Sequence, residues 1–133
     1  LDVAGQLNKI TSFVAPLLVA GINVSLFIDP EESQIRAAAK TGAQFIELHT
    51  GQYSLAYATD TEQVEFEKLY NSANLAQSLG LKVNAGHGLN YENVGRMREI
   101  QDLYELNIGH SIISRAVFTG LSQAVVDMSK LVK

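Results

Sequence analysis

Short apolar runs alternate along this chain with longer stretches in which apolar residues recur at helical spacing. Residues 24–28, 44–49, 82–85 and 105–108 are compact runs of apolar or alternating residues bounded by turn formers, and each predicts a strand. Ahead of the first, Leu7, Ile10, Val14, Leu17 and Leu18 keep helical spacing and predict a helix within residues 1–21, capped by Gly21. Pro16 lies inside that pattern, so the helix either starts late, near Thr11 or Ser12, or kinks. Further helices are predicted over 31–40, where Glu31 and Glu32 place acids at the positive end, and over 61–79, stopped by Gly80. Another is predicted over about 92–103, and a last one over 112–133 that Gly120 divides in two. A loop carrying Tyr53 and Tyr57 is expected after the second strand.

One helix followed by four strand-helix units argues for parallel β-α-β crossovers. The units share length but no sequence repeat, and neither a hairpin signal nor a heptad seam occurs. Alternation within the strands adds a second constraint, because residues two apart share a face. Val24, Leu26, Ile28, Ile46, Leu48, Val83, Ala85, Leu106 and Ile108 fall on one side. Ser25, Phe27, Asp29, Phe45, Glu47, His49, Lys82, Asn84, Gly86, Glu105, Asn107 and Gly109 fall on the other. A parallel sheet buried on both faces is apolar on both. A barrel whose polar interior carries a reaction site at one end matches the pattern better. The predicted class is therefore α/β, a TIM (β/α)8 barrel. Such a barrel takes about 250 residues, so residues 1–133 are expected to be about the last four units, one half of a single barrel domain.

Composition narrows the partners. Hydrophobic residues make up 47% and charged residues 18%, which fits a globular chain. The formal charge of −4 argues against an electrostatic grip on nucleic acid or an anionic membrane. There is no cysteine, hence no disulfide or thiolate metal site. The longest apolar stretch, 13–22, is too short to span a bilayer, and a cytoplasmic protein is the simplest fit.

Candidate chemistry gathers at strand ends. The turn Gly86-His87-Gly88 follows the third strand; glycines let backbone approach a ligand while one histidine, ordinarily titrating near 6.5, projects into the same space. Gly109-His110 repeats the design after the fourth strand. Two such units in succession, with a helix starting just after His110, match the phosphate site formed in barrels by the last two strand loops and an extra helix N-terminus. Glu47, in mid-strand on the polar face, has to be paired, protonated or functional. A salt bridge to Lys82 is the structural alternative, as a packed turn histidine is for His87. His49 shares the face of Glu47 and is read equally as a substrate donor or a structural residue. Asp29-Pro30 reads as a turn and helix start. No metal-ligand spacing, Walker loop or nucleophile elbow is present.

Several of these stretches together resemble one family. Leu1-Asp2-Val3-Ala4-Gly5-Gln6, Val24-Ser25-Leu26-Phe27-Ile28-Asp29, Ile46-Glu47-Leu48-His49-Thr50-Gly51, Asn84-Ala85-Gly86-His87-Gly88-Leu89-Asn90, Asn107-Ile108-Gly109-His110-Ser111-Ile112 and Ser114-Arg115-Ala116-Val117-Phe118-Thr119-Gly120-Leu121 are similar to motifs of the pyridoxine 5′-phosphate synthases. The resemblance implies a TIM barrel, a transferase-type synthase that condenses 1-deoxy-D-xylulose 5-phosphate with 3-amino-2-oxopropyl phosphate in vitamin B6 biosynthesis. It also implies a cytoplasmic homo-octamer with no metal or organic cofactor. Carried over by motif, His87 is the proton donor and Glu47 stabilises charged intermediates, while Gly88, Gly109 and His110 bind the aminooxopropyl phosphate. The family's other strand-helix units, which hold further acid-base and substrate-binding residues, are not in this chain. We expect that half to accompany it as a separate segment, and the isolated chain to be inactive.

Two other functions are compatible with the residues alone. One is another phosphate-ligand barrel isomerase or aldolase, for which Lys82 is the candidate Schiff-base lysine. The other is a non-catalytic half-barrel that associates through its edges.

Overall fold

The computed structural model describes residues 1–133, and its centre is one four-stranded sheet. The strands β1 (Ser25–Ile28), β2 (Phe45–His49), β3 (Lys82–Gly86) and β4 (Leu103–Asn107) lie side by side in sequence order, and every neighbouring pair is parallel. Parallel neighbours require crossovers, and helices supply them: α1 (Leu7–Val19) precedes the sheet, α2 (Glu32–Lys40) joins β1 to β2, and α3 (Gly51–Ala56) and α4 (Glu62–Ser78) join β2 to β3. A 3-10 helix over Val94–Glu99 joins β3 to β4, and α5 (His110–Thr119) and α6 (Leu121–Val132) close the chain.

The aliphatic face of the sheet is buried as its alternation predicts. Leu26, Ile28, Ile46, Leu48 and Val83 form one core with Ile35 and Ala38 of α2 and Phe66, Leu69, Ala73 and Ala76 of α4. Burying side chains of this size stabilises by about 1.5–3 kcal/mol each, and this face is what holds the units together. The opposite face is open, with Phe27 still 40% and Tyr104 53% exposed.

The structure corrects three sequence expectations and, for the first helix, excludes the late start, one of its two readings. The segment holding Tyr53 and Tyr57 contains the short helix α3, and Tyr53 is buried rather than in a loop. Helix α1 begins at Leu7, and Pro16 sits within it. The helix expected over 92–103 is only a 3-10 turn, because Val94, Met97 and Ile100 present a buried stripe three residues apart, the repeat of that tighter helix. Strand β4 therefore starts earlier, at Leu103, and an irregularity opposite Val83 and Asn84 lets the pairing skip Tyr104. The split of the last segment falls where expected. Gly120 has φ 79° and ψ 151°, a conformation open essentially only to glycine, and it separates α5 from α6. Arg115 of α5 then reaches Asp127 of α6 at 2.6 Å across that bend, holding the Asp127 carboxyl below the usual carboxylate range.

Candidate active site

At the C-terminal end of the sheet, register stacks the inward side chains in rows. Phe27, Glu47, Asn84 and Glu105 are aligned on successive strands, and His49, Gly86 and Asn107 form the next row. Above them lies a cavity of about 630 Å³, lined by Phe27, Glu47, His87, Gly88, Asn107 and His110 together with Leu89, Asn90, Ile108, Gly109 and Ser111. All five residues singled out from the sequence, Glu47, His87, Gly88, Gly109 and His110, therefore border one space.

Glu47 is half-buried, and no salt bridge joins it to Lys82. Its Oε2 accepts a hydrogen bond from Asn107 Nδ2 at 2.8 Å instead. The Lys82 ammonium lies over the rings of Phe45 and Tyr104, 5.1 and 4.8 Å from their centroids, at the first residue of β3 and outside the cavity lining. That placement removes the observation that favoured a Schiff-base aldolase.

His87 has φ +82°, a conformation that costs a non-glycine residue of order 1 kcal/mol and persists only when its surroundings enforce it. Thr50, fully buried at the end of β2, supplies much of that enforcement. Its amide donates to the Gly86 carbonyl at 2.9 Å, and its hydroxyl shares one proton between the carbonyls of Gly86 and His87, at 2.7 and 2.6 Å. Next along, Gly88 also needs positive φ, and a Cβ there would stand 2.8 Å from Ser54. Asn93 Nδ2 donates to the Gly88 carbonyl at 3.2 Å, while Ser111 Oγ donates to the Leu89 carbonyl at 3.0 Å. The imidazole thus projects from a turn tied down on both sides, exposed toward the cavity.

His49, left undecided by the sequence, does not line the cavity. Its Nδ1 donates to Asp29 Oδ1 at 2.9 Å, and its ring meets Phe27 and His87 edge to face, at 5.1 and 4.9 Å between centroids. Asp29 is therefore more than a turn residue: it fixes the ring against which His87 packs.

Helix α5 begins at His110 with Gly109 as its N-cap, and Gly109, His110 and Ser111 all border the cavity. The first-turn amides of a helix have no partner within it and carry the positive end of its dipole, so an anionic group is favoured there. A Cβ on Gly109 would touch nothing within 4 Å, leaving the backbone open to close approach. One wall of the cavity thus carries a histidine and a carboxylate, and the other can receive a phosphate. No group of three His, Asp or Glu side chains that could hold a metal ion occurs.

Comparison with known proteins identifies the family. The family described as pyridoxal phosphate biosynthesis protein PdxJ matches residues 1–133. This chain belongs to that family. It is 56% identical over 128 residues to the pyridoxine 5′-phosphate synthase of Photobacterium profundum, covering 96% of this chain and 53% of that protein. It is 54% identical, again over 128 residues, to the enzyme of the same name from Synechococcus sp. (strain JA-2-3B'a(2-13)), covering 96% of this chain and 54% of the relative. The chain spans about half the length of these curated relatives. Asn107 and Asp29 are the residues for which the sequence suggested no site role. Their alternation placed both on the polar face, but only the register and hydrogen bonds connect them to Glu47 and His49.

Proposed function

We propose that this chain is the C-terminal half of a TIM-barrel pyridoxine 5′-phosphate synthase and carries the phosphate-binding and proton-transfer side of its active site. The supporting observation is the convergence of Glu47, His87, Gly88, Gly109 and His110 on one cavity beside the N-terminus of α5, in a member of this family. Further support for the barrel comes from four parallel strands in sequence order with helices on one face and polar groups on the other.

The substrates are 1-deoxy-D-xylulose 5-phosphate and 3-amino-2-oxopropyl phosphate. The amides of Gly109, His110 and Ser111, with the Gly88 backbone, hold the phosphate of the second. Joining amine to ketone and closing the ring releases inorganic phosphate and water. Each water loss needs a proton delivered to a departing oxygen and one removed from carbon or nitrogen. His87 delivers protons, its ring positioned by His49 and Asp29. Glu47, held by Asn107, lies where an iminium-like positive charge develops and stabilises it. The remaining acid-base and phosphate groups belong to the half of the relatives' length outside this chain. The assembled enzyme acts in the cytoplasm as a homo-octamer.

The test is a synthase assay with both phosphate substrates on the assembled barrel. His87→Asn should lower kcat by roughly a hundredfold or more, the usual scale of a lost general acid. His110→Ala should instead raise KM for the amino ketone phosphate. Wild-type kcat in the His87 variant would overturn the assignment.

A further inference from the structure

Glu47 and Asn107 come from β2 and β4, which are not neighbours; β3 runs between them. Their side chains meet over Gly86, and the glycine is what permits it. A Cβ at position 86 would stand 2.5 Å from Glu47 Oε1 and 2.9 and 3.0 Å from the carbonyl oxygen and Cβ of Asn107. Strand β3 is pared to bare backbone at the one row where two flanking side chains cross it. An ionised carboxylate only accepts hydrogen bonds, so the amide must present its N–H, as the 2.8 Å contact from Nδ2 to Oε2 has it. With Oε2 occupied, Oε1 is fixed above Gly86, one residue from His87.

We propose that Asn107 is a positioning residue of the reaction: it locks the rotation of the Glu47 carboxylate over Gly86 so that Oε1 faces the charge developing in the cavity. The proposal rests on the assignment of Glu47 as the stabilising group. An amide suits the task because it donates to the carboxylate without adding charge. Glu105 stands in the same row as Glu47 on β4, His49 lies two residues along β2, Lys82 is on β3, and His87 and His110 border the same cavity. An acid at position 107 would add a third carboxylate to this set, and an alanine would free Glu47 to turn toward Lys82 or the histidines.

Kinetics of Glu47→Gln, Asn107→Ala and Asn107→Asp in the assembled barrel, each across pH and with thermal unfolding recorded, test this. Loss of the charge-assisted hydrogen bond in Asn107→Ala should lower kcat about tenfold to a hundredfold with KM little changed. In Asn107→Asp, repulsion between neighbouring carboxylates should move the acid limb of the kcat profile to higher pH. That variant conserves side-chain shape and keeps the test open should the alanine variant fail to fold. An inactive Glu47→Gln beside Asn107 variants of wild-type kcat and unshifted pH profile would overturn the positioning role and leave that of Glu47 standing. A fully active Glu47→Gln would overturn both.

Discussion

The phenol of Tyr53 is 1% exposed and donates to the Asn93 carbonyl at 2.7 Å, directly beneath the turn that carries His87. Burial pushes its pKa up from 10.0 to about 12, with the nearby Glu62 carboxylate adding to the effect. The consequence for stability has a definite sign. Below the unfolded value both states keep the proton, and the contribution is intact. As pH rises above it, the unfolded chain gives up a proton that the folded chain retains, so stability falls until the folded value is reached. Tyr53→Phe should therefore flatten the loss of stability between those two values while costing about 1 kcal/mol at neutral pH for the missing hydrogen bond. Urea unfolding of both proteins at a series of alkaline pH values checks this, and identical slopes would mean that Tyr53 does not titrate on unfolding. Because Asn93 also holds the Gly88 carbonyl and accepts from the Asn90 amide at 2.8 Å, the phenol braces the active turn through a single intermediary.

Among the elements, the 3-10 helix is held by its buried stripe of Val94, Met97 and Ile100, and Arg96 ties it to α4 besides. The guanidinium stacks 3.8 Å above the Phe66 ring and donates to Glu62, Gln63 and Glu99. Burial opposes its charge, yet the hydrogen bonds to Glu99 and Glu62 hold its pKa above the ordinary value. Arg96→Ala should destabilise the protein by about 1–3 kcal/mol, combining a partly buried cation–π contact with charge-assisted bonds. Arg96→Lys should recover only part of this, since an ammonium lacks the planar fork. Chemical unfolding of the two variants decides it, and a loss below about 0.5 kcal/mol in the alanine variant would show the contacts to be surface ones. This element also marks where the sequence was hard to read. Strands β1 to β3 and helices α2 and α4 were legible because periods of two and 3.6 are distinct and glycines bound them. The Gly-His-Gly turn was legible for a similar reason, since both its chemistry and its punctuation are local. Val94, Met97 and Ile100, three apart, read as a loose α-helix unless a period of three is sought. Tyr104 broke the alternation of β4, because a strand irregularity depends on the partner strand rather than on β4 itself. Helix α3, six residues opening on Gly51, is too short to show any period. The crossing of Glu47 and Asn107 over Gly86 required register, which no single strand contains.

For the whole molecule, what is uncovered matters as much as what is packed. Strands β1 and β4 end the sheet, and each presents unpaired backbone groups along one side, although the N-terminal amine donates to the Phe27 carbonyl at 3.0 Å. Beside β1, an apolar hollow of about 720 Å³ is lined by Phe13, Val14, Leu17, Ile22, Val24 and Leu26, with Phe13 71% exposed. Polar interior groups face outward on the open side, and Asn84 Oδ1 is buried there without a hydrogen-bond donor. Such a buried acceptor costs about 1–3 kcal/mol unless something donates to it. The two edges, the hollow and the orphaned oxygen are the places where the further strand-helix units of the proposed barrel would pack. If the other half of the family's length completes the barrel, adding it should slow amide exchange across β1 and β4 by orders of magnitude, while α2 and α4, already packed, change little. The chain by itself should associate as its concentration is raised, because open parallel edges pair with one another. Hydrogen exchange and sedimentation on the chain alone, and then with the remaining half, separate the outcomes. A lone monomer with protected edge strands would mean that four units suffice for a stable sheet, and the proposed completion of the barrel would lose its physical motive.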